Sequence, residues 1–177
     1  KLGEFPGLLR NTGVIYWDKE TQIPKNPVLL VEIFQYAQKH QLQLSRSARD
    51  QIEHVVHSLS EDEFQNATIG VKLGEILVTQ DAADILRALQ YTEILVRIIP
   101  EIEKIHRLHI KSMYHHYTVD EHTFRTIEIM QSVVFDESDA QHHLFREVYF
   151  ALEDPLPIYL GLLLHDIGKA EDREAHH

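Results

Sequence analysis

A histidine followed directly by an aspartate, His165-Asp166, offers two metal-binding side chains at adjacent positions. Imidazole nitrogen combined with carboxylate oxygen suits Zn, Mn, Fe or Mg in sites that hydrolyse phosphoesters. The apolar run 157–164 precedes the pair and predicts a buried helix that ends with both side chains inside the protein. Burying them requires hydrogen bonds, an ion pair or a cation. A bound metal ion would satisfy both residues, and so would a simple His-Asp hydrogen bond.

A third candidate ligand, His122, lies 43 residues before His165. Thr118 and Glu121 have the spacing of a capping box, and Phe124 begins the apolar face behind them. This pattern predicts a helix that begins after Thr118 and carries His122 in its first turn. A histidine in that position, taken alone, is more often a surface residue than a ligand.

Histidine is unusually frequent, with 13 among 177 residues. Ten of the 13 lie in the second half of the chain: His106, His109, His115, His116, His122, His142, His143, His165, His176 and His177. Histidine is the commonest side-chain metal ligand. The enrichment therefore fits a metal site, although many of these histidines must be bystanders.

Two segments resemble the HD superfamily of metal-dependent phosphohydrolases. Residues 115–123 read His-His-Tyr-Thr-Val-Asp-Glu-His-Thr, and residues 162–169 read Leu-Leu-Leu-His-Asp-Ile-Gly-Lys. Together they are similar to the HD domain of bacterial protein-PII uridylyltransferase, the uridylyl-removing enzyme. Segments 26–37 and 98–102 are similar to the connection between that family's nucleotidyltransferase and HD domains. The resemblance implies an all-α fold, with a helical linker lobe followed by the first part of an HD-domain helical bundle.

The resemblance also implies roles for individual residues. His122, His165 and Asp166 would bind a divalent cation, namely Mn, Zn, Fe or Mg, and Asp166 would also orient the attacking water. His176 matches a further histidine that the family has soon after the motif. Lys169 would stabilise negative charge on the phosphoryl group, although a lysine in the last turn of a helix also favours the helix dipole.

The substrate follows from the resemblance alone. It would be the phosphodiester that links uridylate to a tyrosine of a PII-type signalling protein in nitrogen regulation, and its hydrolysis would release UMP. Two alternatives stay open. In the first, the chain is a non-catalytic helical binding or regulatory module, because the family's distal aspartate ligand is missing. In the second, it is the HD-like domain of an RNA nucleotidyltransferase. The Gly-Ser pair and spaced acidic residues of a transferase domain do not occur, so transferase activity is not predicted.

Three regions are expected along the chain: an irregular linker remnant at 1–25, a helical connecting region at 26–113 and an HD-domain portion at 114–177 that is incomplete at its C-terminal end. Glycine and proline around Val14-Ile15-Tyr16-Trp17 predict a loop or small hairpin in the first region. The main helices predicted in the second region are 26–40, 45–59, 60–78 and 101–113.

Composition limits the classes of protein that fit. Seventeen basic residues against 28 acidic ones give a net charge of −11, which argues against a broad nucleic-acid surface. The chain has no cysteine, so disulfides and thiolate metal sites are excluded. No apolar run reaches the roughly 18 residues that cross a bilayer, and no basic segment followed by a hydrophobic one opens the chain. We therefore expect a cytoplasmic protein without a membrane partner, and apolar helix faces make a homo-oligomer possible.

Overall fold

The computed structural model describes residues 5–18, 20–109, 117–136, 138 and 140–169. It is mostly helical with one small sheet, which confirms the predicted all-α class. Two compact units are present: Lys1–Ile76 with Ile85–Ile99, and Leu77–Asp84 with Pro100–His177. The three predicted regions stay a prediction, and their boundary at residue 113 lies outside the described residues.

The sheet of the first unit has three strands. β1 (Leu8–Asn11) pairs antiparallel with β2 (Val14–Trp17), and β2 pairs in parallel with β3 (Gln43–Leu44). Thr12 and Gly13 join β1 to β2 with φ angles of 45° and 80°, the pattern of a two-residue hairpin turn that matches strand twist. The predicted hairpin is confirmed, whereas the two-residue β3 was not predicted.

The helices before residue 106 are α1 (Pro27–Lys39), α2 (Arg46–Val56), α3 (Ala67–Val78), α4 (Ala82–Tyr91) and α5 (Ile94–Ile98), with 3₁₀ turns at Glu61–Phe64 and Pro100–Ile105. The first two begin where their capping residues predict. The Asn26 side chain accepts a hydrogen bond from the Val28 N–H at 3.0 Å, and the Ser45 hydroxyl accepts one from the Ala48 N–H at 3.1 Å. Each cap satisfies a backbone donor that the helix itself leaves without a partner.

The prediction of one long helix over 60–78 is wrong. The capping box at Ser60 and Glu63 does form, with the Ser60 N–H donating to the Glu63 carboxylate at 2.8 Å. The turn it starts is a short 3₁₀ helix, and α3 begins afresh after Asn66, whose side chain accepts from the Thr68 N–H at 2.8 Å. The second cap competes with continuation of the first turn, so two elements replace one.

The prediction of a helix over 101–113 is also wrong. The structure has a 3₁₀ turn at Pro100–Ile105, and Arg107 then adopts a left-handed φ of 53°, which ends any helix there. Residues 110–113 lie outside the described residues.

The second unit is built around α6 (Val119–Phe135), which packs against α7 (His143–Phe150) and α8 (Leu156–Leu164), with a 3₁₀ turn at Ala140–His142 between α6 and α7. Tyr159 of α8 is fully buried, and its hydroxyl pairs with the Tyr149 hydroxyl at 3.2 Å. This contact joins α7 to α8.

A buried glutamine fixes the other side of α6. The Gln131 amide donates to the carbonyls of Leu77 at 3.2 Å and Thr79 at 2.7 Å. Its oxygen accepts from the Ala82 N–H at 3.0 Å. These bonds satisfy backbone groups on both sides of the turn between α3 and α4, which explains why a polar side chain is stable in this core.

The prediction that the run 157–164 forms a buried helix is wrong in part. Of the residues of α8, Tyr159 and Leu163 are buried, whereas Ile158 and Leu164 are 37% and 40% exposed. The apolar sequence predicts the helix, but it does not determine how many faces of that helix are covered by other elements. Across the described ranges, no helix is both long and apolar enough to cross a membrane.

Candidate metal centre

The start of α6 sets the position of His122. Thr118 is the N-cap residue as predicted, and the His122 N–H donates to the Thr118 carbonyl at 2.8 Å in the first helical turn. The Thr118 side chain, however, makes no capping bond to the helix and hydrogen-bonds Asp120 instead. The predicted helix start is confirmed, and the predicted capping box is wrong.

Asp120 is a buried carboxylate that ties α6 to the turn before it. It accepts hydrogen bonds from the Arg107 N–H at 3.1 Å and from His106 Nδ1 at 2.9 Å. Burial by itself would raise the pKa of Asp120, but these bonds, with those from Thr118 and the Glu121 N–H, hold that pKa below its ordinary value. Asp120 therefore stays ionised and anchors the start of α6, which carries His122, to the turn at His106 and Arg107. The sequence pattern did not predict this role.

The end of α8 fixes the proton on His165. His165 is the C-cap residue, and its Nδ1 lies 2.7 Å from the Leu162 carbonyl oxygen. A carbonyl only accepts hydrogen bonds, so Nδ1 carries the proton and, in the neutral ring, Nε2 presents its lone pair. This is the arrangement by which metal-binding histidines are commonly oriented through their second nitrogen.

The three predicted ligands meet at one point. His165 Nε2 lies 3.2 Å from Asp166 Oδ1, and His122 Nε2 lies 3.8 Å from Asp166 Oδ2. One ligand atom from each residue lies within 4.8 Å of the others. Ligand atoms bound to a single ion at about 2.1 Å are about 3 to 3.5 Å apart, so small side-chain rotations bring all three into one coordination sphere.

The contact between His165 and Asp166 tests whether a cation fits. With its proton on Nδ1, a neutral His165 turns the Nε2 lone pair towards a carboxylate oxygen 3.2 Å away. Two acceptors at that distance repel each other unless a proton or a cation lies between them. A divalent ion would take both atoms as ligands together with His122, so the donor set fits the predicted metal.

Asp166 forms the buried base of the site. Its side chain is 5% exposed, whereas those of His122, His165 and Lys169 are 48%, 38% and 36% exposed. The prediction that both members of the His-Asp pair lie inside the protein is therefore confirmed for Asp166 and wrong for His165. Lys169 Nζ lies 2.6 Å from Asp166 Oδ2 and balances its charge. A buried carboxylate surrounded by partly exposed basic side chains leaves a face to which an anionic group can bind.

The structure thus brings together four of the five residues predicted for the site: His122, His165, Asp166 and Lys169. Their roles as ligands and catalytic groups stay a prediction. The fifth residue, His176, lies outside the described residues, as do His115 and His116 of the motif.

Fold and site together define a mostly helical protein in which two histidines and a buried aspartate form a group able to hold a divalent ion. No protein-family model matches the chain. The chain is similar to the bifunctional uridylyltransferase/uridylyl-removing enzyme of Novosphingobium aromaticivorans, with 30% identity over 154 residues. The matched stretch is 85% of this chain but spans 17% of that enzyme.

Proposed function

We propose that this chain carries the phosphodiesterase part of a bifunctional uridylyltransferase/uridylyl-removing enzyme, and that it removes UMP from a uridylylated PII-type signalling protein. The similar enzyme bears that activity in its name. The motif resemblance supplies the phosphodiester substrate. The observation that carries the proposal is the convergence of His122, His165 and Asp166 within 4.8 Å.

His122, His165 and Asp166 would hold the divalent ion. When bound, such an ion lowers the pKa of water and polarises a phosphoryl oxygen. Asp166 is buried and fixed by Lys169, so its carboxylate stays in place while substrate enters and leaves. His165 cannot rotate freely because its Nδ1–H is bonded to the backbone.

The reaction is a hydrolysis that needs no further reactant. Water attacks the phosphorus, the bond between phosphorus and the tyrosine oxygen breaks, and the phenolate takes up a proton as UMP leaves. Lys169 lies beside the carboxylate and partly faces solvent, so its ammonium group is placed to stabilise negative charge on the phosphoryl oxygens. A uridylylated protein is a large substrate and requires an open site. The exposure of His122 and His165 agrees with this requirement.

The test measures metal content and hydrolysis on the same preparations. Wild-type chain and His165→Gln are purified without an affinity tag, offered Mn or Zn, and assayed by elemental analysis and by UMP release from uridylylated PII. We expect one or two ions per wild-type chain, and a loss of at least about a hundredfold in UMP release in the variant. His143→Gln is the matched control, because its ring is 71% exposed and lies outside the three-residue group.

Two results would contradict the proposal. Wild-type chain that binds metal but releases no UMP would make the site a metal-binding module without this activity. Hydrolysis that survives in His165→Gln would place the chemistry elsewhere.

A further inference from the structure

A second group of metal-ligand side chains lies in the first unit, in a region to which the HD motifs give no role. Glu53, His57 and Glu93 each place one ligand atom within 4.8 Å of the other two. His57 Nε2 lies 2.9 Å from a Glu93 carboxylate oxygen. All three residues belong to the unit formed by Lys1–Ile76 and Ile85–Ile99.

Helix geometry places two of the three. Glu53 and His57 are four residues apart, and the His57 N–H donates to the Glu53 carbonyl at 3.0 Å at the C-terminal end of α2. Residues at this spacing lie one above the other on one helix face. A carboxylate and an imidazole one turn apart are a common pair of ligands for a single ion.

Glu93 comes from a different element. It is the N-cap residue of α5, with a left-handed φ of 60°, and its side chain makes no capping bond to that helix. The usual reason for a polar N-cap side chain is therefore missing. Its carboxylate points to His57 instead, which brings a third ligand to the pair on α2.

The charges of this group favour the binding of a cation. Two carboxylates that approach one point repel each other, and a cation bound between them relieves that repulsion. His57 Nε2 lies 2.9 Å from a Glu93 carboxylate oxygen, and a ligand atom of Glu53 lies within 4.8 Å of both. A divalent ion would neutralise both carboxylates and accept the imidazole lone pair at once.

We propose that Glu53, His57 and Glu93 form a second divalent-metal site of the zinc type, which links the end of α2 to the start of α5. One imidazole and two carboxylates are three ligands of the kind that zinc takes, with a fourth position for water. The His57 and Glu93 side chains are 50% and 43% exposed, so that position opens to solvent. The site stabilises the first unit and is independent of the His165 site.

The test is a zinc titration of the 177-residue chain by calorimetry. The chain carries His165→Gln throughout, so that the first group lacks a ligand and the two sites are separated. Substituting His57→Gln should weaken the remaining zinc binding at least about tenfold, and Glu53→Gln should weaken it in the same direction. His54→Gln is the matched control, because it removes an exposed histidine of the same helix that is not in the group, and it should leave binding unchanged.

Thermal unfolding with and without zinc gives a second readout. Zinc should raise the unfolding temperature of the His165→Gln chain, because a ligand that binds only the folded state stabilises it, and His57→Gln should abolish that rise. Circular dichroism shows whether each variant is folded before titration. Absence of zinc binding in the His165→Gln chain, or equal binding with and without His57, would overturn the proposal. Neither result depends on whether the chain hydrolyses uridylylated PII.

Discussion

The two candidate metal groups differ in the burial of their carboxylates. Asp166 is almost fully buried and is held by Lys169 at 2.6 Å, while Glu93 is 43% exposed and contacts a half-exposed His57. A buried carboxylate loses its hydration and must be compensated by the protein or by a cation in every state. An exposed carboxylate keeps water as an alternative partner. The first group is therefore part of the folded framework, whereas we expect the second to gain or lose an ion with little change in the fold.

The largest effect is expected at Asp120, which supports the buried group. Asp120→Asn replaces a carboxylate that accepts from Arg107 and His106 with an amide that offers fewer acceptor positions. We expect the free energy of unfolding to fall by about 2 to 3 kcal/mol, measured by urea titration. The exposed Glu153→Gln should change it by less than about 0.5 kcal/mol. Equal losses of unfolding free energy in the two variants would contradict the idea that a buried carboxylate stabilises the fold more than an exposed one does.

A smaller effect, dependent on pH, is expected at Tyr159, which is buried in α8. Burial, then the hydrogen bond with Tyr149, raises the pKa of Tyr159 well above its ordinary 10.0. A raised pKa stabilises the folded protein fully below the unfolded value, and that contribution is lost as the pH rises above it. Tyr159→Phe should therefore cost about 1 kcal/mol near pH 8 and close to nothing near pH 11.

Urea unfolding at the two pH values measures this change. Tyr16→Phe, which alters a tyrosine that is 42% exposed, is the control and should show no such dependence. A constant cost for Tyr159→Phe at both pH values would contradict the expected loss of stabilisation.

The smallest effect is expected in the exposed group without metal. Glu93→Gln breaks the ion pair with His57, and pairs with this exposure contribute less than about 0.5 kcal/mol. Thermal unfolding in the presence of a chelator should therefore barely distinguish the variant from the wild type. A loss of several degrees would show that Glu93 belongs to the rigid framework after all, which would make the two groups alike.

Local signals in the sequence predicted local structure well. Asn26 and Ser45 cap helices because a side chain bonds to a backbone group two or three residues away, and the hairpin around Gly13 depends on two residues alone. The break before α3 was missed because Asn66 competes with a capping box six residues earlier. The exposure of Leu164 was missed because burial depends on which elements cover a helix.

The sequence predicted which candidate ligands lie together, but not the residues that support them. The motif resemblance paired His122 with His165 and Asp166, and the structure brings them together. The bond between His106 and Asp120 joins residues 14 apart through a turn with a left-handed φ at Arg107. No periodic pattern encodes such a contact, so it became visible only in three dimensions.

The bond from His165 to the Leu162 carbonyl has a consequence for tolerance to mutation. The acceptor is a main-chain atom, so no side chain at position 162 is needed to hold the imidazole in its tautomer. Any residue that keeps α8 helical preserves that carbonyl in the same place. The orientation of this ligand is thus a property of the helix end itself, and position 162 is free to adapt to whatever packs against it.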